Sequence, residues 1–529
     1  MKSYILLFVA LLLCNIVAAQ NQFTAIIKDA DTKEPLIGVS AVHKGTTNGA
    51  ATDINGIVSI KNIPDGEQKV EFSYIGYEKK QQIFVFPLND TIVVLLENTT
   101  AQLDEVVVSS TRSTRTITNI PTRMEFVGLE ELDEKSSMKS GDIRMLLSES
   151  TGIQTQQTSP ISANSSIRIQ GLDGRYTLIL KDGMPLYSGA ASGLGLLQIP
   201  PLDLKQVEII KSSSSTLHGG GAIAGLVNLI SKTPTDKREL SFLLNGTSAT
   251  GLDISGFYAQ KFNKIGMTVF AARNSNEPYD PADIGLSAIP RVERYTFNPR
   301  LFVYFNPQTK MNFGVNTSIE NRLGGDMLYL KGKGNDEHSY FERNKTERIS
   351  TQFSLEHKFS GKSILNIRNS YSHFKRKITI PDYLFNGVQN GSFSEINYSY
   401  SDEKYEWVTG INLWTDNFNE VQITDNRTPR DYKQITTGVF VQNLTNVTDW
   451  LNIESGLRGD YVAEYGFAIL PRISALFKIN QKLTSRIGGG LGYKTPTVFT
   501  EESEMMQYRN VLPIDDNFNK LERSYVSPR

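Results

Sequence analysis

From Arg238 to Lys494 the chain is written in strands of about ten residues whose side chains alternate between two faces, and that period leaves few folds open. In 352–359, Phe353, Leu355 and Phe359 share one face, and Gln352, Ser354, Glu356 and Lys358 the other. In 472–479, Ile473, Ala475, Phe477 and Ile479 alternate with Arg472, Ser474, Leu476 and Lys478, with Leu476 the exception. Beyond the N-terminus no run of about eighteen apolar residues occurs, which excludes ordinary membrane helices. A closed β-barrel remains open, because its strands are half polar. An ionised side chain on the lipid face near the midplane costs about 2–4 kcal/mol, so the alternation decides which face points outward.

Connection lengths alternate as well. Brief turns fall near Asn263-Lys264, 306–309, 360–362, 401–403 and Asn480-Gln481, and longer polar loops near 275–294, 320–347, 377–392 and 418–431. Short periplasmic turns with long external loops are the asymmetry of outer-membrane barrels. A soluble double sandwich gives no reason for it.

Two regions precede these strands. Residues 22–97 hold β-prone runs at 23–27, 39–43, 57–60, 69–74, 82–86 and 91–96. Lys33-Glu34-Pro35, Asp53-Ile54-Asn55-Gly56 and Pro64-Asp65-Gly66 separate them, the spacing of a small β-sandwich. Residues 139–150 read as a helix with Ile143, Leu146 and Leu147 on one face, a start near Ser140 and a stop at Gly152. Between 166 and 233, short strands are parted by glycine and proline turns, an apolar strand ends in serines, and a glycine cluster precedes a branched apolar run.

Arg168, Gly171, Asp182, Gly183, Pro185, Glu208, Gly219, Gly225 and Asn228 in that last stretch stand where the plug domain of TonB-dependent outer-membrane receptors has its pattern, and the region resembles that family. Lys211-Ser212-Ser213 replaces the usual Arg-Gly-Pro, and His218 the usual Tyr. The first region, with DTKEPLIGVSAVHKGTTNGAATDINGIVSIKNIPDGEQKVEFSYIGY, resembles the noncatalytic carboxypeptidase regulatory-like domain found ahead of many Bacteroidetes receptors, Ile26 or Ile27 standing near its first glycine. Between the two, Leu103, Asp104, Glu105, Val106, Val107 and Val108 form a β-prone segment in polar chain and resemble the TonB box, a strand that pairs with the edge of a partner. A strand already paired within the sandwich or plug is the alternative.

The resemblance implies a mainly β chain: sandwich 22–97, TonB-box-like segment 103–110, α+β plug 111–234, and a partial antiparallel transmembrane barrel 238–529 with about 13 of 22 strands. Nine further strands at roughly 20 residues each would add on the order of 180 residues, so the chain reads as a fragment or a premature stop. If 529 residues are all that is made, no transport is expected. Residues 1–19 read as a secretory signal, with Lys2, an apolar stretch 4–13 and the small-residue exit Val17-Ala18-Ala19. A membrane anchor needs roughly 20 apolar residues, and bulky Leu12 and Leu13 disfavour lipidation of Cys14.

In function, the resemblance implies an outer-membrane receptor that actively imports a scarce, bulky solute, a ferric siderophore or haem, using TonB and its inner-membrane energising complex. The barrel's other partner is outer-membrane lipid. An importer of the glycan-uptake type and a non-transporting β-rich surface adhesion protein are the alternatives. For ligand contact the plug's outward segments 156–165 and 185–197 come first, with Tyr187 ahead of Gln156 and Gln157. In a long loop, Tyr329, His338 and Tyr340, beside Asp336, suit a metal chelate, against the reading of an ordinary polar loop.

Enzyme chemistry has no footing in the residues. The five histidines, 43, 218, 338, 357 and 373, lack ligand spacing, Cys14 is the only cysteine, and no Ser/His/Asp or paired-carboxylate pattern stands out. No metal site and no cofactor is expected. Residues 219–224 mimic a dinucleotide glycine pattern but follow no apolar strand, so glycine there serves close packing or positive φ. With 55 basic and 56 acidic residues, no nucleic acid partner is expected.

Overall fold

The computed structural model describes residues 21–97, 109–514 and 522–525, apart from 31, 47, 75–76, 78, 89, 114, 139–140, 158–164, 187–189, 191–197, 249, 422–427 and 481–482. The signal-like residues 1–19 and the segment 103–108 lie outside the described residues. The chain divides into two compact units, Met1–Val106 and Val107–Arg529.

In the first unit, alternation packs two small sheets face to face. Strands β1 (Asn21–Asp29), β2 (Ser40–His43), β3 (Gly49–Ala51), β4 (Ile57–Ile63), β5 (Gly66–Ser73), β6 (Lys80–Phe86) and β7 (Ile92–Leu96) form sheets ordered β4-β1-β7 and β3-β2-β5-β6. Phe23, Ala25 and Ile27 of β1 are buried against Phe72, Phe84 and Phe86, with the Phe23 and Phe84 rings 4.8 Å apart. Each of these phenylalanines, and Ile27, contributes about 1.5–3 kcal/mol by leaving water. The Asp53-Ile54-Asn55-Gly56 turn forms as the residues suggest: Asp53 Oδ1 accepts from the Asn55 and Ile57 N–H groups, both at 2.9 Å. Only β3, made of Gly49, Ala50 and Ala51, lacks a sequence signal.

The second unit opens with the plug. Its strands are β8 (Met124–Val127), β9 (Ile153–Gln157), β10 (Ser165–Ile169), β11 (Thr177–Lys181), β12 (Met184–Pro185), β13 (Leu204–Ile210) and β14 (Gly225–Ser231). Five of them form a mixed sheet, β12-β11-β14-β13-β8, in which β11 and β14 run parallel, while β9 and β10 make a hairpin. Val207, Ile209, Val227 and Leu229 join Ile143, Leu146, Leu147, Ile167 and Ile169 in one core. Gly225 is required where it stands: φ is +144°, and a Cβ there would lie 1.9 Å from the Ile210 carbonyl oxygen. The helix expected over 139–150 is shorter, Arg144–Ser148, and a second helix, Leu129–Met138, precedes it. The second lacks an apolar stripe; among its described side chains only Leu132 reaches the plug core.

Around the plug stands the wall: β15 (Glu239–Gly246), β16 (Leu252–Phe262), β17 (Ile265–Asn276), β18 (Arg291–Asn306), β19 (Thr309–Gly325), β20 (Phe341–Ser360), β21 (Ser363–Ile380), β22 (Tyr383–Ser401), β23 (Tyr405–Glu420), β24 (Tyr432–Thr448), β25 (Leu451–Val462), β26 (Gly466–Lys478), β27 (Thr484–Lys494) and β28 (Glu522–Tyr525). They form one sheet of fourteen strands in chain order, thirteen of them complete by Lys494. The faces are inverted relative to a soluble protein. On β18, Arg294, Thr296, Asn298 and Arg300 are buried, whereas Tyr295, Phe297 and Leu301 are exposed. On β26, Arg472 and Ser474 are buried while Ile473 is 60% exposed. Leu476, the break in that alternation, is fully buried on the inner face.

Wall turns follow the expected positions, with one correction. The long loop expected over 377–392 is a hairpin, β21 passing through Pro381 and Asp382 into β22. Asp382 takes φ +59° at the bend, and Ile378, Ile380, Tyr383 and Phe385 are buried. Polar residues there belong to paired strands that continue past the apolar band, which a loop reading of composition mistakes for irregular chain.

Candidate functional site at the plug

Polar side chains of the inner wall bind the plug on nearly every strand. Arg300 pairs with Asp182 at 3.1 Å, Gln198 binds Glu320 at 3.2 Å, and Gln352 donates to the Lys181 carbonyl at 3.2 Å. Arg376 donates to the Ala190 carbonyl, Arg112 pairs with Glu395 at 2.6 Å, and Ser113 donates to Glu406 at 2.6 Å. Thr122 donates to Glu454, and Arg472 to the Ser213 carbonyl, both at 2.7 Å. Arg486 of β27 donates to the Ile120 carbonyl at 3.1 Å. At the other end of the sheet, Lys232 pairs with Glu239 of β15, and Leu202 packs on Phe257 and Phe270 of β16 and β17. The plug thus lies against the inner face of β15 through β27. Burying these charges is tolerated because each is paired or hydrogen-bonded.

A cavity of about 220 Å³ remains between plug and wall. Pro185, Leu186 and His218 to Gly221 border it from the plug, and Ser372, Phe393, Trp414 and Lys494 from the wall. Part of the lumen mouth is filled by the connection after β27. Its helix, Glu501–Met505, is capped by Thr500, and Glu501 pairs with Arg168 of the plug at 2.5 Å. Glu504 pairs with Arg376 at 2.7 Å, and the Tyr508 ring sits 4.7 Å from that of Phe385.

Inside the plug, β13 and β14 hold the chain where it enters. Glu208 is fully buried and accepts the Ser109 and Ser110 backbone N–H groups at 2.9 and 2.8 Å. Asn228 Nδ2 donates to Glu208 and to the Ser110 hydroxyl, and its Oδ1 accepts the Gly183 N–H at 2.9 Å. His218 Nε2–H donates to the Ser110 carbonyl at 2.7 Å. Burial, helped by the Arg112 charge, pushes the His218 pKa down to about 3, so the ring is neutral. From there the chain runs to the short-turn rim, where Arg115 and Asn119 border an open recess with Lys362, Asp402 and Lys404.

Three family models match this architecture in chain order. The CarboxypepD_reg-like domain covers residues 26–108, the TonB-dependent Receptor Plug Domain 116–226, and the TonB dependent receptor-like beta-barrel 284–504. The chain belongs to the TonB-dependent receptors. It is 22% identical over 420 residues to the vitamin B12 transporter BtuB of Photobacterium profundum, covering 74% of this chain and 62% of that one. It is 27% identical over 257 residues to the TonB-dependent receptor SusC of Bacteroides thetaiotaomicron, covering 47% of this chain and 25% of that one. Among solved structures, the siderophore receptor PirA from Pseudomonas aeruginosa superposes with a TM-score of 0.56 at 17% identity, over 71% of this chain and 62% of that one, a likeness of fold. The receptor chain therefore spans about three-fifths of BtuB and of PirA. A TonB-dependent receptor is an outer-membrane β-barrel protein and not an enzyme.

The residues singled out for this receptor's ligand fall in different places. Tyr187 lies outside the described residues, as does the side chain of Gln157, whose backbone pairs with Ser165. Gln156 is exposed on the β9–β10 hairpin. Tyr329, His338 and Tyr340 come together in the loop between β19 and β20, around Asp326. Asp326 caps the turn Met327–Leu330 and binds His338 Nδ1 at 2.7 Å, and that hydrogen bond holds its carboxyl below the usual range. The Tyr329 ring stacks on Phe341 at 4.8 Å. Sequence reasoning missed the inner-wall charges, Arg376, Glu395, Glu406 and Glu454; their signal was charged residues recurring on one face of successive strands.

Proposed function

We propose that this receptor imports a scarce, bulky solute across the outer membrane, with TonB and its inner-membrane complex as the source of energy. The observation that supports the reading most is the plug's position against the inner faces of β15 through β27, with Ser109 and Ser110, directly after the segment 103–108, fixed inside it. A solute crossing such a lumen must displace plug contacts, and a β-prone sequence directly before Ser109 gives a partner something to pair with. The division into sandwich 22–97, TonB-box-like segment 103–110, plug 111–234 and barrel from 238 belongs to this reading.

For the solute, the likeness to a siderophore receptor supports a ferric chelate. The likeness to a vitamin B12 transporter favours a corrinoid as the second reading. Ligand contacts are assigned to Tyr187, Gln156 and Gln157 of the plug and to the Tyr329, His338 and Tyr340 loop. Deleting residues 103–108 is expected to abolish energy-dependent uptake of radiolabelled ferric siderophore while cell-surface binding persists. Normal uptake by the deletion rejects the reading, and uptake of cyanocobalamin in place of iron exchanges the solute.

A further inference from the structure

Charges on the outside of the wall are arranged differently from those within it. Facing outward at the loop-side ends of β20 and β21 are Arg343, Lys345, Lys375 and Lys377, with Glu347 the one carboxylate between them. Lys345 stands directly opposite Lys377, and Lys375 opposite Glu347. Their outward neighbours on the flanking strands, Asn321 of β19 and Val388 of β22, carry no charge. Among the described residues no carboxylate lies within ion-pair distance of these cations, whereas the outward arginines Arg273 and Arg291 pair with Glu293 and Glu277. Arg343 Nε is buried without a hydrogen-bond partner. Like charges directly opposite on paired strands repel and cost stability. A wall that needed only a polar rim would be served by neutral side chains, as β22 is by Asn390 and Ser392.

The height of the cluster suggests what it is for. On β20 the outward apolar side chains run from Ile349 to Phe359, 50% and 61% exposed. At about 3.3 Å per residue and a strand tilt near 40°, that stretch spans about 25 Å, the height of a barrel's apolar band. Tyr371 of β21 stands exposed at its upper margin, where aromatic residues gather. This margin is the external one, since the short turn after Ser360 closes the other end. Lys345, Lys375 and Lys377 follow just above it, at the level of the outer-leaflet headgroups.

We propose that Arg343, Lys345, Lys375 and Lys377 form a docking site for a phosphate-bearing lipid of the outer leaflet, its phosphate between Lys345 and Lys377 and its acyl chains along Ile349 and Tyr371. A phosphate group brings three acceptor oxygens and a charge of about −1.5 to −2, which turns the repulsion between the two lysines into a bridge. The Arg343 guanidinium supplies a fork of donors that fits the same group. Inorganic phosphate would meet the charges and leave the apolar surface beneath them uncovered, so the site is one for a lipid. It lies outside the lumen and depends on neither the imported solute nor TonB.

The test uses the receptor purified from outer membranes in dodecyl maltoside and stripped of lipid. Diphosphoryl lipid A is the probe, lipid A with the same acyl chains and no phosphate is the comparison, and native mass spectrometry reads the fraction of receptor carrying one lipid. The parent is expected to bind the phosphorylated probe about tenfold more tightly or better. Lys345→Gln with Lys377→Gln is expected to weaken that binding about 25-fold, roughly fivefold for each lysine at an anionic lipid. Lys345→Arg with Lys377→Arg is expected to retain it, as is Lys433→Gln, an outward cation away from the cluster. Thermal unfolding separates docking from a structural role: without lipid A the double Gln variant is expected to melt at or above the parent's temperature, because the repulsion is gone, and with lipid A below it. Parent-like binding by the double Gln variant, or equal binding of the two probes by the parent, overturns the docking site. Displacement of the phosphorylated probe by an equal concentration of inorganic phosphate overturns it as well.

Discussion

His218 shows how much one substitution within a family pattern alters the local physics. A tyrosine has no charge to lose near neutral pH, whereas a buried histidine ties plug stability to protons. Arg112, Arg368 and Arg458 surround the ring, and all three disfavour its protonation. With the folded-state pKa near 3 and an unfolded value near 6.5, the unfolded chain takes the proton first as pH falls. Its contribution is therefore complete above pH ~6.5 and is lost below it, by about 2 kcal/mol at pH 5 on the scale of 1.4 kcal/mol per unit. Hydrogen exchange of β13 and β14 amides, corrected for intrinsic rates, is expected to show reduced protection at pH 5 against pH 7. In His218→Gln that difference is expected to vanish.

Strands of the wall were legible because their period of two has a single cause, lipid on one side and plug on the other. Where the cause changes, legibility fails: past the apolar band both faces of β21 and β22 meet water or protein, so polar residues no longer mark a loop. The helix Leu129–Met138 was missed for the converse reason, since among its described side chains only Leu132 reaches the core. Within the band the period makes a depth-dependent prediction. Ile473→Arg, on the outer face of β26, is expected to cost about 2–4 kcal/mol of barrel stability, and Ile479→Arg, beside the short-turn rim, about 0–1 kcal/mol. Folded fractions in bilayers over a urea series measure both. Equal costs would mean that β26 does not face lipid.

Taken together, the two compact units have separate cores, one built on Phe23, Phe72, Phe84 and Phe86 and the other on the plug sheet. Residues 21–97 expressed alone are expected to fold with one cooperative thermal transition, since among the described residues no member of that core comes from beyond Leu96. Near-ultraviolet circular dichroism without a transition would show that the sandwich borrows stability from elsewhere. The order of sandwich, plug and wall could be read from short patterns because each unit is specified by local alternation and turn residues. The candidate site could not. Arg168 with Glu501, Arg112 with Glu395 and Thr122 with Glu454 are partners more than 280 residues apart, joined only because the wall curves around the plug.

The inverted faces of that wall bear on how the chain reaches its destination. Phe242, Phe467 and Ile473 stand outward, each more than half exposed, while arginines and glutamates are enclosed. In aqueous surroundings the completed sheet would be the sticky form of the molecule. Transit through the periplasm is thus safer before the strands pair than after.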